Sequence, residues 1–304
     1  MDKIIIRSLG YVLMILAGIV LKNKGFFKSE DRYVLAKISL NVTMPMAIFA
    51  SFKGFHFETS LIAIIGFGFV VNLILAGIAL VVSRKEKPKE RALKMLNNSS
   101  HNIGSFVLPY LTGFYAPEAM IYSSMFDVGN SFYSMGINLG IAEVVSGKQN
   151  DFNLKAFLKT VFSSPPFITY IVMTLVVVLN VTLTDAVFEI ADMMGRANVF
   201  IVMFMFGIMF EIHPTRSSIK KSLSVLMLRY VCATLMAIVV WLVFPIPDVA
   251  KQVLTIVLFA PMSSVISTFC LSLNCDSGVS SFVSSVSIPI SIVINTVLIA
   301  MWQF

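Results

Sequence analysis

An all-α membrane protein of ten transmembrane helices, arranged as two inverted five-helix repeats with the fourth and ninth helices broken, is the fold class this sequence predicts. Three observations predict it. Of the 304 residues, 57% are hydrophobic and 13% charged, and the mean hydropathy is +0.88; soluble domains carry about 25% charged residues. Lysine and arginine gather in alternate loops. Two prolines in polar settings, Pro109 and Pro261, stand 152 residues apart, half the chain.

A helical span needs roughly 17–25 apolar residues, and ten stretches qualify. The first runs from about Ile4 to Leu21. No small-residue cleavage site precedes the Lys22–Lys28 cluster, so it reads as a retained span and not a signal peptide. The second runs from Tyr33 to Phe52 and the third from Ser60 to Val82. The fourth, Ala92 to Phe114, contains Pro109, and the fifth runs from Glu118 to Val145. The sixth, Ala156 to Leu179, carries Pro165 and Pro166. The seventh is Ala186 to Phe210 and the eighth Ser222 to Phe244. The ninth, Val249 to Leu273, contains Pro261, and the tenth is Val279 to Trp302. Pro45 and Pro289 are expected kinks. Connections are short, so the chemistry lies within or at the bilayer.

Orientation follows from the basic residues. Lys22, Lys24, Lys28 and Arg32 follow span one. Arg84, Lys85, Lys87, Lys89 and Arg91 follow span three. Lys148 and Lys155 follow span five, and Arg216, Lys220 and Lys221 follow span seven. The alternate loops hold little beyond Lys53 and Lys251. All basic loops share one side if both termini face outside a cell (inner, cytoplasmic) membrane. An odd number of spans per half inverts residues 148–304 relative to 1–147. Inverted repeats with helix breaks at matching positions point to a binding site at mid-bilayer.

The net charge of +7 therefore reports orientation, and no basic–aromatic patch suggests nucleic acid. Cys232, Cys270 and Cys275 have no metal-ligand spacing. No Walker-type glycine motif is present, which excludes ATP as the direct energy source. An intramembrane enzyme would need paired catalytic groups, and only Asp127 with Asp192 could be forced into that role. A channel has no need of inverted broken helices.

The stretch from Asn97 to Asn138 is polar and helix-breaking although its surroundings are apolar. Such backbone is tolerated at membrane depth only where it is buried in protein or lines a cavity. On span five Asp127, Asn130, Ser131, Ser134 and Asn138 share one helix face. On span ten Ser280, Ser284, Ser287, Ser291 and Asn295 repeat the pattern, which also suits close helix packing. If spans four and nine break near Pro109 and Pro261, the second half of each starts near mid-bilayer. Helix starts carry unpaired N–H groups and partial positive charge, so two of them facing one cavity suit an anion. Ser263 and Ser264 add hydroxyls there, and Asn102 and Gly104 allow an unwound approach. The first half-helices end at the same place, where their carbonyls suit a cation. Asp127 is the candidate coupling residue, for a proton or sodium, since protonation removes its charge. Asp192 and Arg196 are spaced to pair on span seven. Arg229 is expected to snorkel toward the inner surface, and His101 to lie near that surface.

These residues resemble the auxin efflux carrier family, which includes bacterial malate and malonate permeases and the plant auxin exporters. The likeness lies in NVTMPMAIFASF on span two, HNIGSFVLPYLTGFYAPEA on span four, FDVGN on span five, FMFGIMF on span seven, and APMSSVISTF followed by SVSIPI. The resemblance implies crossed, broken fourth and ninth helices, as in bile-acid and sodium–proton transporters. It also implies carboxylate substrates bound beside the crossover with help from asparagines, which match Asn102 and Asn130 here. Two departures stand out. The loop after span five, Gly147 to Lys155, is short, and SFVL precedes Pro109 where many relatives have a glycine.

The expected function is a secondary active transporter of small organic anions such as malate-like carboxylates. It would work by alternating access, with one repeat bundle moving against the other. Efflux of amphipathic weak acids such as indole acids is the alternative. Expected partners are the carboxylate, the bilayer and, as an open oligomeric state, a second copy in a homodimer.

Overall fold

The structure is a computed structural model and describes residues 2–55, 60–148, 163–210, 216–263 and 265–303. No strand occurs among the described residues. Helix α1 is Asp2–Asn23. The next run passes through α2 (Arg32–Ile38), a π turn (Ser39–Thr43) and α3 (Met44–Ser51). Helix α4 is Ser60–Val82. Helix α5 (Pro88–Asn98) ends in an unwound stretch, after which a π turn (Ile103–Val107) leads into α6 (Leu108–Leu111). Helix α7 (Pro117–Phe132) continues through a π turn (Tyr133–Ile137) into α8 (Asn138–Ser146). Then come α9 (Pro165–Val178), α10 (Asp185–Met209) and α11 (Arg216–Val243). A second interrupted run, α12 (Asp248–Leu258) and α13 (Val265–Ser272), precedes α14 (Ser277–Trp302).

Among the described residues, six helical runs are long and apolar enough to cross a bilayer: Ile4–Asn23, Ser29–Ser51, Leu61–Val82, Asp185–Met209, Ser218–Val243 and Gly278–Trp302. The stretches expected as spans four and nine are each split by unwound backbone. The fifth is a helical run divided by a π turn. Of the sixth, the described part is the apolar helix that begins at Pro165, and Ala156 lies outside the described residues.

Two π turns stand directly before a proline. Met44 donates its N–H five residues back to Ser39, and Leu108 does the same to Ile103. Proline offers no N–H, and its ring clashes with the carbonyl four residues earlier. The widened turn accommodates that clash, so Pro45 and Pro109 sit inside helical runs without ending them. Helix α14 passes through Pro289 as one element.

The helices associate in two groups. In one, α10 lies between α1 and α3, and α9 joins α3. In the other, α4 packs on α7, α5 on α8, α11 on α14, and α12 on α7. Each group takes helices from both halves of the chain. In lipid, helices associate through close van der Waals fit, which small residues permit. The α4–α7 contact is of this kind. A Cβ on Gly129 would meet the backbone of Ile65 and Phe69, and one on Gly68 would meet the carbonyl of Phe126.

Gly129→Leu is expected to force α4 and α7 apart and lower stability by about 1–3 kcal/mol or more. Gly66→Ala, on α4 but facing open space, is expected to leave stability unchanged or slightly raised. Thermal unfolding of the two variants in detergent checks this.

Candidate functional site

Local polar chemistry ends α5. Asn97 Nδ2 donates to the Leu93 carbonyl at 2.7 Å, Asn98 Nδ2 to Lys94 at 2.8 Å, and Ser99 Oγ to Met95 at 2.7 Å. Asparagine and serine bond nearby backbone in this way and so compete with helix continuation. Unwinding follows at Ser99–Asn102, where Asn102 has φ −86° and ψ 78°. The second break spans Phe259 to Ser263, and Pro261 supplies no N–H there. The two unwound segments meet, because the Asn102 N–H donates to the Pro261 carbonyl at 2.9 Å.

This corrects the expected place of the first break. It lies at Ser99–Asn102 and not at Pro109, because the π turn absorbs the proline. Pro109 is buried in α6 beside Ala47, Ile48 and Thr112, away from the cavity described below.

Arg229, on α11, joins the two breaks. It is 3% exposed. Nη1 donates to the carbonyls of Asn97 (3.0 Å) and Asn98 (3.4 Å), and Nη2 to those of Ser100 (2.9 Å), Ala260 (2.9 Å) and Pro261 (3.2 Å). These carbonyls lie at and beyond the C-terminal ends of α5 and α12, which carry partial negative charge. Arg229 therefore does not snorkel to the inner surface. Its charge finds partners inside the protein, on the carbonyls expected to suit a cation.

His101 is also displaced from its expected place. It is 3% exposed, its Nδ1 is 3.1 Å from Asn72 Oδ1, and its ring stands edge-on to Phe126. Unwinding after Asn98 carries it into the core, next to α4. Asn130 then clamps its backbone. Asn130 Oδ1 accepts from the His101 N–H at 3.2 Å, and Asn130 Nδ2 donates to the His101 carbonyl at 3.1 Å. Nδ2 also donates to Asp127 Oδ1 at 3.0 Å, and Asn72 Nδ2 donates to Asn130 Oδ1 at 3.2 Å. An amide has two donors and two lone pairs, so these bonds saturate Asn130.

Beside this clamp lies a cavity of about 270 Å³. Asn102, Gly104, Asp127, Ser131, Ser134 and Ser263 line it from one helix group. Leu40, Met44, Phe167 and Tyr170 line it from the other, so it sits on the seam between them. Asp127 is 8% exposed. Among the described residues the Asn102 side chain makes no hydrogen bond, so its amide faces the cavity uncommitted. A Cβ on Gly104 would strike the end of the Met44 side chain and stand 3.5 Å from Asp127 Oδ2. Glycine thus brings the π turn's backbone close to the carboxylate.

Of the residues singled out in the sequence, Asn102, Asp127, Asn130 and Ser263 come together at this cavity. Pro261 lies at the crossing, with its carbonyl engaged, and Ser264 lies outside the described residues. Asn138 leaves the expected face. The π turn at Tyr133–Ile137 shifts the register, and Asn138 Oδ1 accepts instead from Ser99 Oγ at 3.2 Å. Ser280 and Ser287 on α14 face the breaks, bonding Asn97 Oδ1 at 3.1 Å and the Met262 N–H at 3.4 Å. Asp192 and Arg196 pair as their spacing implied, with Nε 2.8 Å from Oδ2, and line a separate cavity of about 550 Å³. Asn72 is the lone polar side chain between Leu61 and Val82, the one signal for it in the sequence.

A family model described as "Membrane transport protein" matches residues 5–299. No curated protein matches the chain.

Arg229→Met is expected to cost about 3–5 kcal/mol, because it removes the partner of buried, charge-assisted bonds. Arg229→Lys keeps the charge with fewer, differently directed donors and is expected to recover only part of that loss. Thermal unfolding of both variants checks this, with Arg196→Met, exposed and paired at the helix surface, expected to cost under about 1 kcal/mol.

Proposed function

The chain belongs to the auxin efflux carrier family of membrane transport proteins, and from that premise we propose that it is a secondary active carrier of small organic carboxylates. Members of this family are multi-pass integral membrane transporters and not enzymes. The observation that carries the proposal is the cavity of about 270 Å³ against the two crossing helix breaks. Sites for drug-sized ligands occupy roughly 300–1,000 Å³, so this one suits an acid of a few carbon atoms. The open amide of Asn102, Ser263 and the first N–H groups after the break at Asn102 are donors suited to a carboxylate.

Charge decides the coupling. A carboxylate substrate and an ionised Asp127 repel in a low-dielectric site. Arg229 is directed elsewhere, because both of its terminal nitrogens, Nη1 and Nη2, are bonded to the carbonyls of the breaks. Its guanidinium also occupies the carbonyl cluster that would otherwise suit sodium. These facts favour a proton on Asp127 as the accompanying charge. Motion between the two helix groups, across the seam where the cavity lies, would expose the site to each side in turn. In this reading the chain makes ten passes as inverted repeats, 1–147 and 148–304, with both termini outside the cell membrane. A second reading, efflux of an amphipathic weak acid such as an indole acid, draws on the apolar wall formed by Leu40, Met44, Phe167 and Tyr170.

The test is uptake of labelled malate into proteoliposomes with pH, sodium and voltage gradients imposed separately. Saturable uptake that follows the pH gradient is expected. Asp127→Asn is expected to abolish that dependence while thermal stability stays near wild type. Uptake driven by sodium alone, or a variant that keeps its pH dependence, refutes proton coupling at Asp127. Uptake of indole-3-acetate but not malate favours the second reading.

A further inference from the structure

A cavity of about 770 Å³ lies at the opposite end of α5 from the helix break. Four separate parts of the chain form it: the α4–α5 loop with the start of α5, Ser146 at the end of α8, the start of α11, and the α13–α14 loop. Five lysines line it, namely Lys87, Lys89, Lys94, Lys220 and Lys221, against the carboxylates Glu86, Glu90 and Asp276.

The pairing leaves positive charge over. Lys94 bonds Glu86, and Lys221 Nζ lies 2.8 Å from Glu90 Oε1. Asp276 caps α14 by accepting from the Val279 N–H at 3.2 Å. All three carboxylates are thus engaged. Lys87, Lys89 and Lys220 are exposed, and no carboxylate lies within salt-bridge distance of them among the described residues. The start of α5 adds little to this field, because Glu90 stands in its first turn with its carboxylate against the Lys87 N–H.

We infer that this cavity is a binding site for a phosphate-bearing anion. Lysine binds phosphate as a point charge, and basic pockets between transmembrane helices suit anionic lipid headgroups. A headgroup and a soluble phosphate present the same chemistry to these lysines. The site bears on the candidate transport site through two helices. Helix α5 runs from this cavity to Asn97 and Asn98, whose carbonyls Arg229 holds, and α11 runs from it to Arg229 itself. An anion bridging Lys87 and Lys89 to Lys220 would tie together, at their ends, the helices that Arg229 ties at the crossing. Ligand binding to the folded state raises its stability, so the bound anion brace is read as a shift in unfolding temperature.

Unfolding is measured in nanodiscs of phosphatidylcholine, with and without admixed phosphatidylglycerol, and in neutral detergent with and without inorganic pyrophosphate. For the wild type an upward shift of a few degrees is expected in at least one arm. A shift with phosphatidylglycerol alone identifies the lipid headgroup, and one with pyrophosphate alone identifies a soluble phosphate. The Lys87→Gln, Lys89→Gln, Lys220→Gln triple variant is expected to lose the shift. Lys220→Gln alone is expected to reduce it, which keeps the test open if the triple variant does not fold. A matched variant elsewhere, Lys24→Gln, Lys28→Gln, Lys37→Gln, is expected to keep it. The inference is overturned by a wild type that shifts in neither arm. It is equally overturned if the cavity variants keep the full shift, or if the matched variant loses as much as they do.

Discussion

Backbone carbonyls that end a helix inside an apolar protein have no water to bond. Each one left bare costs about 1–3 kcal/mol. Here two helices, α5 and α12, end facing each other, and their negative ends converge. A lone guanidinium brought to the same depth would cost several kcal/mol as well. Arg229 resolves both problems, since five carbonyl oxygens accept its hydrogen bonds at 2.9–3.4 Å. The crossing, the unwound segments beside it and the cavity they border all depend on this exchange.

With the crossing held, the other polar groups order the site outward from it. Asn130 copies the bonding of a peptide group against His101 and fixes the unwound backbone on α7. The same amide reaches Asp127, so the carboxylate and the break are set by one side chain. Asn72 holds both Asn130 and His101 from α4. That helix approaches α7 closely enough for this because Gly68 and Gly129 carry no side chain. The hydrogen-bonded half of the cavity wall therefore belongs to one helix group. The apolar half, from Leu40 to Tyr170, belongs to the other. A boundary of this kind is where relative motion disturbs the fewest hydrogen bonds.

Using Arg229 structurally also shapes the charge of the site. Its terminal nitrogens are bonded to backbone, and Asp127 is the carboxylate that lines the cavity, together with the amide of Asn102. The cavity is thus bordered by amides, hydroxyls and one carboxyl.

Composition and the alternation of basic loops were enough to establish a helical membrane protein, because the cost of bare backbone and charge in lipid leaves few other solutions. The motif order placed it in its family, and the polar face of span five marked Asp127 and Asn130 by helical periodicity alone. Periodicity assumes an unbroken helix, however, and that assumption failed at particular residues. The π turn at Tyr133–Ile137 turned Asn138 away, and the one before Pro109 let the proline sit inside a helix while the asparagines and serines upstream made the break. The roles of Arg229, His101 and Asn72 were beyond local reading for a different reason. Each is defined by partners far away in the chain, Arg229 by carbonyls more than a hundred residues earlier and about thirty later. A charge in an apolar run shows that a partner must exist, and only the packing of the helices decides which groups supply it.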